Sequence, residues 1–180
     1  VRPHWLGRQQ RRHDRSDLEG PCNLVIGLND IHAQLLEKRP QHCATLMLDA
    51  SAGGARLICN SDQGAHLPVG QLVLVLADSG TPTLALVRWR HQNAEGLHLG
   101  LRYLKGLPRP VWLRRAPSAQ THPGVMQSTP APGNGWHHGL WLPNGQFVEG
   151  ENLWLQLASV KNQAILPLPA SNLCTPSVSR

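Results

Sequence analysis

The chain has 180 residues and an apolar fraction of 41%, enough for one domain with a real core or two small ones. Lys and Arg outnumber Asp and Glu by 17 to 11, and aromatics make up only 4%, with six Trp. No apolar run approaches the roughly 20 residues that span a bilayer, and no secretory leader pattern is present, so no membrane span is expected.

The excess charge is placed at the front. Arg2, Arg8, Arg11, Arg12 and Arg15 stand against Asp14 alone in the first 15 residues, whereas 116–180 is neutral. A basic arm ahead of the first strand points to an anionic partner, a phosphate ligand or a nucleic acid. With Val1 in place of an initiator Met, the sequence is expected to be a piece of something longer.

Strand-length apolar runs follow: "CNLVIGL" (22–28), "CATLMLD" (43–49), "GARLIC" (54–59), "QLVLVLA" (71–77), "TLALVRWR" (83–90) and "LHLGLRYL" (97–104). Gly, Pro, Asn and Asp fill the segments between them. Leu97, Leu99, Leu101 and Tyr103 alternate with His98, Gly100 and Arg102, the period of a half-buried strand. Such spacing predicts a mostly β, antiparallel six-stranded barrel or sandwich. "NDIHAQLLEKR" (29–39) breaks the pattern with Ile31, Leu35 and Leu36 at helical spacing, so one short inserted helix is expected, capped by Asn29 or Asp30.

Residues 116–135 carry repeated Pro and Gly without an apolar period and read as a linker or long loop. Residues 1–115 would then form the barrel with its arm. Residues 136–180 would supply further strands, "HHGLWLP" (137–143), "ENLWLQLA" (151–158), "QAILPLP" (163–169) and "LCTPSVS" (173–179). They either form a second small barrel or add to the first, and "PVWLRRA" (110–116) fits either unit. Trp89, Trp112, Trp136, Trp141 and Trp154 lie in strand-like runs and read as core or inter-unit packing.

Most candidate sites fall away. Cys22, Cys43, Cys59 and Cys174 form no Cys-x-x-Cys pair and read as buried reduced thiols of a cytoplasmic protein. His137 and His138 are adjacent, and adjacent strand residues face opposite sides, so no metal is expected there. His13, Asp14 and Ser16 hold the letters of a hydrolase triad, but neighbours in sequence do not make a triad in space. No nucleophile elbow, Walker loop or dinucleotide fingerprint occurs, and no enzyme or cofactor is expected.

Two features remain. One is the arm, "RQQRRHDRSDLEG", with Arg11, Arg12 and Arg15; Arg8 with Arg12 offers a second register of the same spacing. The other is "DASAGG", with Asp49, Ser51, Gly53 and Gly54 at a strand junction where Asn-Gly or Asp-Gly would make a simpler hairpin. Arg-x-x-x-Arg before the first barrel strand, (Asp/Asn)-x-Ser-x-x-Gly between later strands, and "LVRWRHQNAEGLHLGLRYL" as a closing strand pair together resemble the PilZ domain family. The resemblance covers about residues 11–105 and not 116–180. Arg15 and Asp49 stand 34 positions apart, longer than a minimal member would need, and the helix at 30–38 accounts for the excess.

The resemblance implies a six-stranded PilZ-like barrel and cyclic di-GMP as ligand, bound by Arg11, Arg12, Arg15, Asp49, Ser51, Gly53 and Gly54. The chemistry of those residues suits that ligand. A guanidinium matches guanine O6 and N7 with two parallel bonds, and clamps phosphate equally well. A carboxylate accepts from the opposite edge, N1–H and N2–H₂. Ser51 can bond a phosphate oxygen or its own turn. The glycines are expected to take positive φ and let backbone approach the ligand. Arg56, two positions past Gly54, is left open between solvent and site.

The implied mechanism orders the arm on binding and reorients an upstream domain or a partner in motility, secretion or biofilm control. The alternative is a PilZ-like adaptor that docks a protein and binds no nucleotide. A single-stranded nucleic acid ranks last, because the arm carries only Trp5 as a stacking residue.

Overall fold

The computed structural model describes residues 20–37, 40–60, 67–77 and 80–158, with the backbone of 165–167. The arm and "LCTPSVS" lie outside them. Six antiparallel strands close a barrel in the order β1-β2-β3-β6-β5-β4: β1 (Gly20–Ile26), β2 (Cys43–Ser51), β3 (Gly54–Cys59), β4 (Leu72–Ala77), β5 (Thr83–Asn93) and β6 (Gly96–Tyr103). The six-stranded barrel implied by the family resemblance, one of the two architectures that the apolar runs left open, is therefore present.

Inside it, Leu24, Met47, Leu57, Val73, Val87, Leu97, Leu99 and Leu101 pack as one cluster, as alternation along each strand dictates. Cys22, Cys43 and Cys59 are buried here and unbridged. A thiol hydrogen bond from Cys59 draws the Cys43 thiol down and pushes that of Cys59 up.

The helix α1 (Leu28–Leu35) lies between β1 and β2, as expected. It starts earlier than the capping signal suggested. Its N-cap is Gly27, with no side-chain cap, and Asp30 sits in the first turn, where a carboxylate favours the helix dipole. Leu28, Ile31, His32 and Leu35 share one face. Ile31 joins Val25, Leu74 and Leu84 from the outside of β1, β4 and β5 in a second apolar cluster. The β1 and β4 side of the barrel is thus buried on both faces, which is why "NLVI" and "LVLVLA" read as unbroken apolar runs.

A five-stranded sheet, in the order β11-β10-β7-β8-β9, completes the cover. It comprises β7 (Leu107–Arg114), β8 (His122–Pro130), β9 (Trp136–Trp141), β10 (Trp154–Leu157) and β11 (Ile165–Pro167). The sheet is open, not a second barrel. The division expected at 116–135 changes in two respects. β8 occupies most of the supposed linker, and β7, counted with residues 1–115, is laddered between β10 and β8. Val125 and Trp141 complete the cluster under α1, and the His32 ring meets the Trp112 ring edge-on at 4.4 Å. Trp141 Nε1 donates to Gln127 Oε1 at 2.8 Å, so the polar end of this half-buried side chain is satisfied.

The other face of this sheet carries Val111, Leu113, Met126 and Leu155. The segment 143–151 folds over them with Phe147, and Arg115 fastens it. Arg115 donates to Glu151 and to the Gln146 carbonyl, and its guanidinium lies 5.3 Å from the Phe147 ring centroid. Glu151 Oε2 also accepts from the Val148 amide at 3.2 Å.

The hydrogen bond from Arg115 holds the Glu151 carboxyl below its ordinary value of 4.5. A depressed carboxyl stabilises the folded state above its unfolded value and loses that effect as pH falls through the folded one. Glu151→Gln should therefore lower the thermal midpoint at neutral pH. The gap from wild type should close as pH drops from 4.5 through the lower folded value, as thermal melts across pH would record.

Candidate functional site

The site is built by two irregularities at one level of the barrel. On β2 the register against β3 shifts between Met47 and Asp49, and on β5 the register against β6 shifts between Val87 and Trp89. Each shift inserts one extra residue, Leu48 or Arg88, and turns the following side chain to the other face. Met47 and Val87 point into the core, whereas Asp49 and Trp89 stand on the outer wall. The cross-strand row runs Asp49, Arg56, Gly100, Trp89 over β2, β3, β6 and β5.

Within the row, Arg56 Nε lies 3.0 Å from Asp49 Oδ2; the Asp49 side chain is 8% exposed and that of Arg56 45%. At the far end, Trp89 lies over Gly100: a Cβ on Gly100 would fall 1.9 Å from the indole Nε1. The next outward row carries Ser51, Gly54 and Arg102. An acceptor, two cations and a half-exposed aromatic therefore share one patch of wall, a set able to take a planar, hydrogen-bonding, anionic ligand.

The turn beyond β2 is held from within. Ser51 Oγ donates to the Gly54 carbonyl and accepts from the Gly53 amide, both at 3.3 Å. Tyr103 N–H donates to the Gly53 carbonyl at 3.0 Å and ties the turn to β6. Of the two roles open to Ser51, the described contacts are those of the turn.

The expectation of positive φ at Gly53 and Gly54 is not met, for neither is in the left-handed region. Gly54 is needed for a different reason. A Cβ there would lie 2.0 Å from the Leu101 carbonyl oxygen, so only glycine lets β3 and β6 approach.

Asp49, Ser51, Gly53 and Gly54 are thus brought together at one end of the β2–β3 hairpin. Arg11, Arg12 and Arg15 lie outside the described residues. Trp89, read from sequence as packing, is 40% exposed, and Trp136 is 60% exposed. A bulge carries no clear sequence mark, so nothing in "LVRWR" announced that Trp89 turns outward. Arg102 was visible as a polar position of an alternating strand.

A cleft of about 650 Å³ lies elsewhere, beside the β5–β6 hairpin and away from the β2–β3 turn, lined by Thr45, Cys59, Gln92 and Gly96 among others. It touches none of the row. Among the described residues, no group of three His, Cys, Asp or Glu could hold a metal ion. None of their helices is long and apolar enough to cross a membrane.

The fold is thus that of a small closed β-barrel domain with a polar, internally bonded turn between its second and third strands. The PilZ domain family model matches residues 9–111, more than half of the chain, and the chain belongs to that family of cyclic di-GMP receptor domains. No curated protein and no solved structure matches it.

The two close-approach glycines should fail differently. Gly54→Ala drives a Cβ into backbone and should cost about 1–3 kcal/mol in chemical denaturation. Gly100→Ala meets only the end of a surface side chain and should cost less, while shifting the Trp89 emission as the indole swings away.

Proposed function

We propose that the protein is a cyclic di-GMP receptor domain, with Asp49 as acceptor for a guanine N1–H and N2–H₂ edge. One observation carries the reading: the Asp49 carboxylate is turned to the outer wall by a bulge and set beside Arg56 in a row of ligand-binding chemistry. Arg11 and Arg15 bring the other half of the site, with Arg12 beside them, and fold onto the wall when guanine or phosphate arrives. The paired start "RR" favours Arg11 with Arg15 over Arg8 with Arg12. Gly53 and Gly54 shape the turn, and Ser51 supports it from inside, with one hydroxyl lone pair left for a ligand N–H or a water. Ordering of the arm would reorient an upstream domain or protein partner in the cytoplasm, where this second messenger acts.

The adaptor reading is favoured by a different observation: both described hydrogen bonds of Ser51 belong to the turn. On that reading the motif is kept for hairpin shape, and the barrel surface docks a protein.

Calorimetric titration of cyclic di-GMP separates the two. Wild type should bind at micromolar concentration, and Arg11→Ala, Arg15→Ala and Asp49→Ala should each lose about 1–3 kcal/mol. No heat with wild type means the adaptor. Undiminished binding by Arg15→Ala means the other arginine register. A short oligonucleotide titrated in parallel should give no heat.

A further inference from the structure

The Asp49 carboxylate already has a partner on the wall. Arg56 is its direct neighbour across the β2–β3 ladder, and only the register shift after Met47 makes it so. Residues facing each other across an antiparallel pair interact through side chains about 4.5–5.5 Å apart at Cβ. The pair is uneven: Asp49 is nearly buried and Arg56 is half in solvent, with Nε to Oδ2 at 3.0 Å. A half-exposed guanidinium keeps freedom to turn, whereas a buried carboxylate does not. On the far side of Arg56 stands Gly100, roofed by Trp89.

We propose that Arg56 is a specificity-determining residue that makes the site selective for guanine joined to phosphate. The proposal rests on the cyclic di-GMP reading of the same wall. Without ligand, Arg56 holds the Asp49 carboxylate in place. A guanine edge that donates N1–H and N2–H₂ takes over the carboxylate, and the freed guanidinium fork turns to an acceptor on the same ligand, a phosphate oxygen or the O6–N7 edge of its second guanine. The exchange conserves charge-assisted hydrogen bonds only for a ligand that offers both halves. Adenine presents an acceptor, N1, to the carboxylate and cannot displace Arg56. Guanosine without phosphate displaces it but leaves its fork with water.

The test is a double-mutant cycle read by calorimetry with cyclic di-GMP, on wild type, Arg56→Ala, Arg56→Lys, Asp49→Asn and the Asp49→Asn/Arg56→Ala double variant, with guanosine as a second titrant. Arg56→Ala should weaken cyclic di-GMP binding by about tenfold, and Arg56→Lys should recover part of that loss. In the Asp49→Asn background Arg56→Ala should cost more than in wild type, because no ion pair has to be broken before the guanidinium meets the ligand. Guanosine binding, weak throughout, should not fall with Arg56→Ala.

Binding by Arg56→Ala equal to wild type overturns the proposal. So does an equal loss in the wild-type and Asp49→Asn backgrounds, which marks an independent contact. Where Asp49→Asn binds too weakly to measure, the Arg56→Lys variant decides. A loss that Arg56→Lys does not relieve, together with a lowered melting temperature, marks a role in folding only and also overturns it. Absence of cyclic di-GMP binding by wild type instead removes the receptor reading itself, and the proposal with it.

Discussion

The barrel depends on a two-fold alternation, and the site depends on breaking it twice at the same height. Had β2 and β5 run without irregularity, Asp49 would follow Met47 into the core and Trp89 would follow Val87. A carboxylate in that apolar interior would cost several kcal/mol unless neutralised. One inserted residue on each strand turns this cost into a surface pair on opposite ends of a single cross-strand row. β3 and β6 run regularly between them, and the glycines at 54 and 100 let β6 lie close to β3 and Trp89 lie close to β6. The wall chemistry is thus a consequence of register, not of loop conformation.

The two halves of the barrel circumference are finished differently, and this decides which of them carries charged side chains. The outer faces of β1 and β4, with the start of β5, are covered by α1, Val125 and Trp141. The outer faces of β2, β3 and β6 carry Leu46, Arg56, His98 and Arg102 in alternation with core residues. Among the described residues, the charged side chains on these strand faces belong to the second half. The inserted helix is what assigns these halves, since its buried stripe closes one of them.

Much of this was legible in the residues. The barrel strands stood out because apolar runs of strand length alternate with turn-forming segments. α1 was visible from Ile31 and Leu35, though its cap was misplaced, because Gly27 supplies conformation and not a side chain. β8 was hidden by Pro123, Gly124 and Pro130, with only the adjacent Val125 and Met126 to suggest burial. Both of its neighbours in the sheet lie close in sequence, so hydrogen bonding overrode its weak propensity. Asp49 and Ser51 were found through their motif. Trp89 was missed because a register shift depends on how two strands pair, which the local sequence of one does not record. Arg56 stayed undecided for the same reason: its partner is set by the shift on the neighbouring strand.

The family match ends at residue 111, in the middle of β7, one position before the tryptophan that meets His32. The family match therefore ends inside a strand of the second sheet. A chain cut at that point would keep every strand of the barrel. It would also lay Val25, Ile31, Leu74 and Leu84 open to water without Val125 and Trp141 above them. The second sheet, which carries none of the family's motif residues, is in this sense the barrel's solubilising coat.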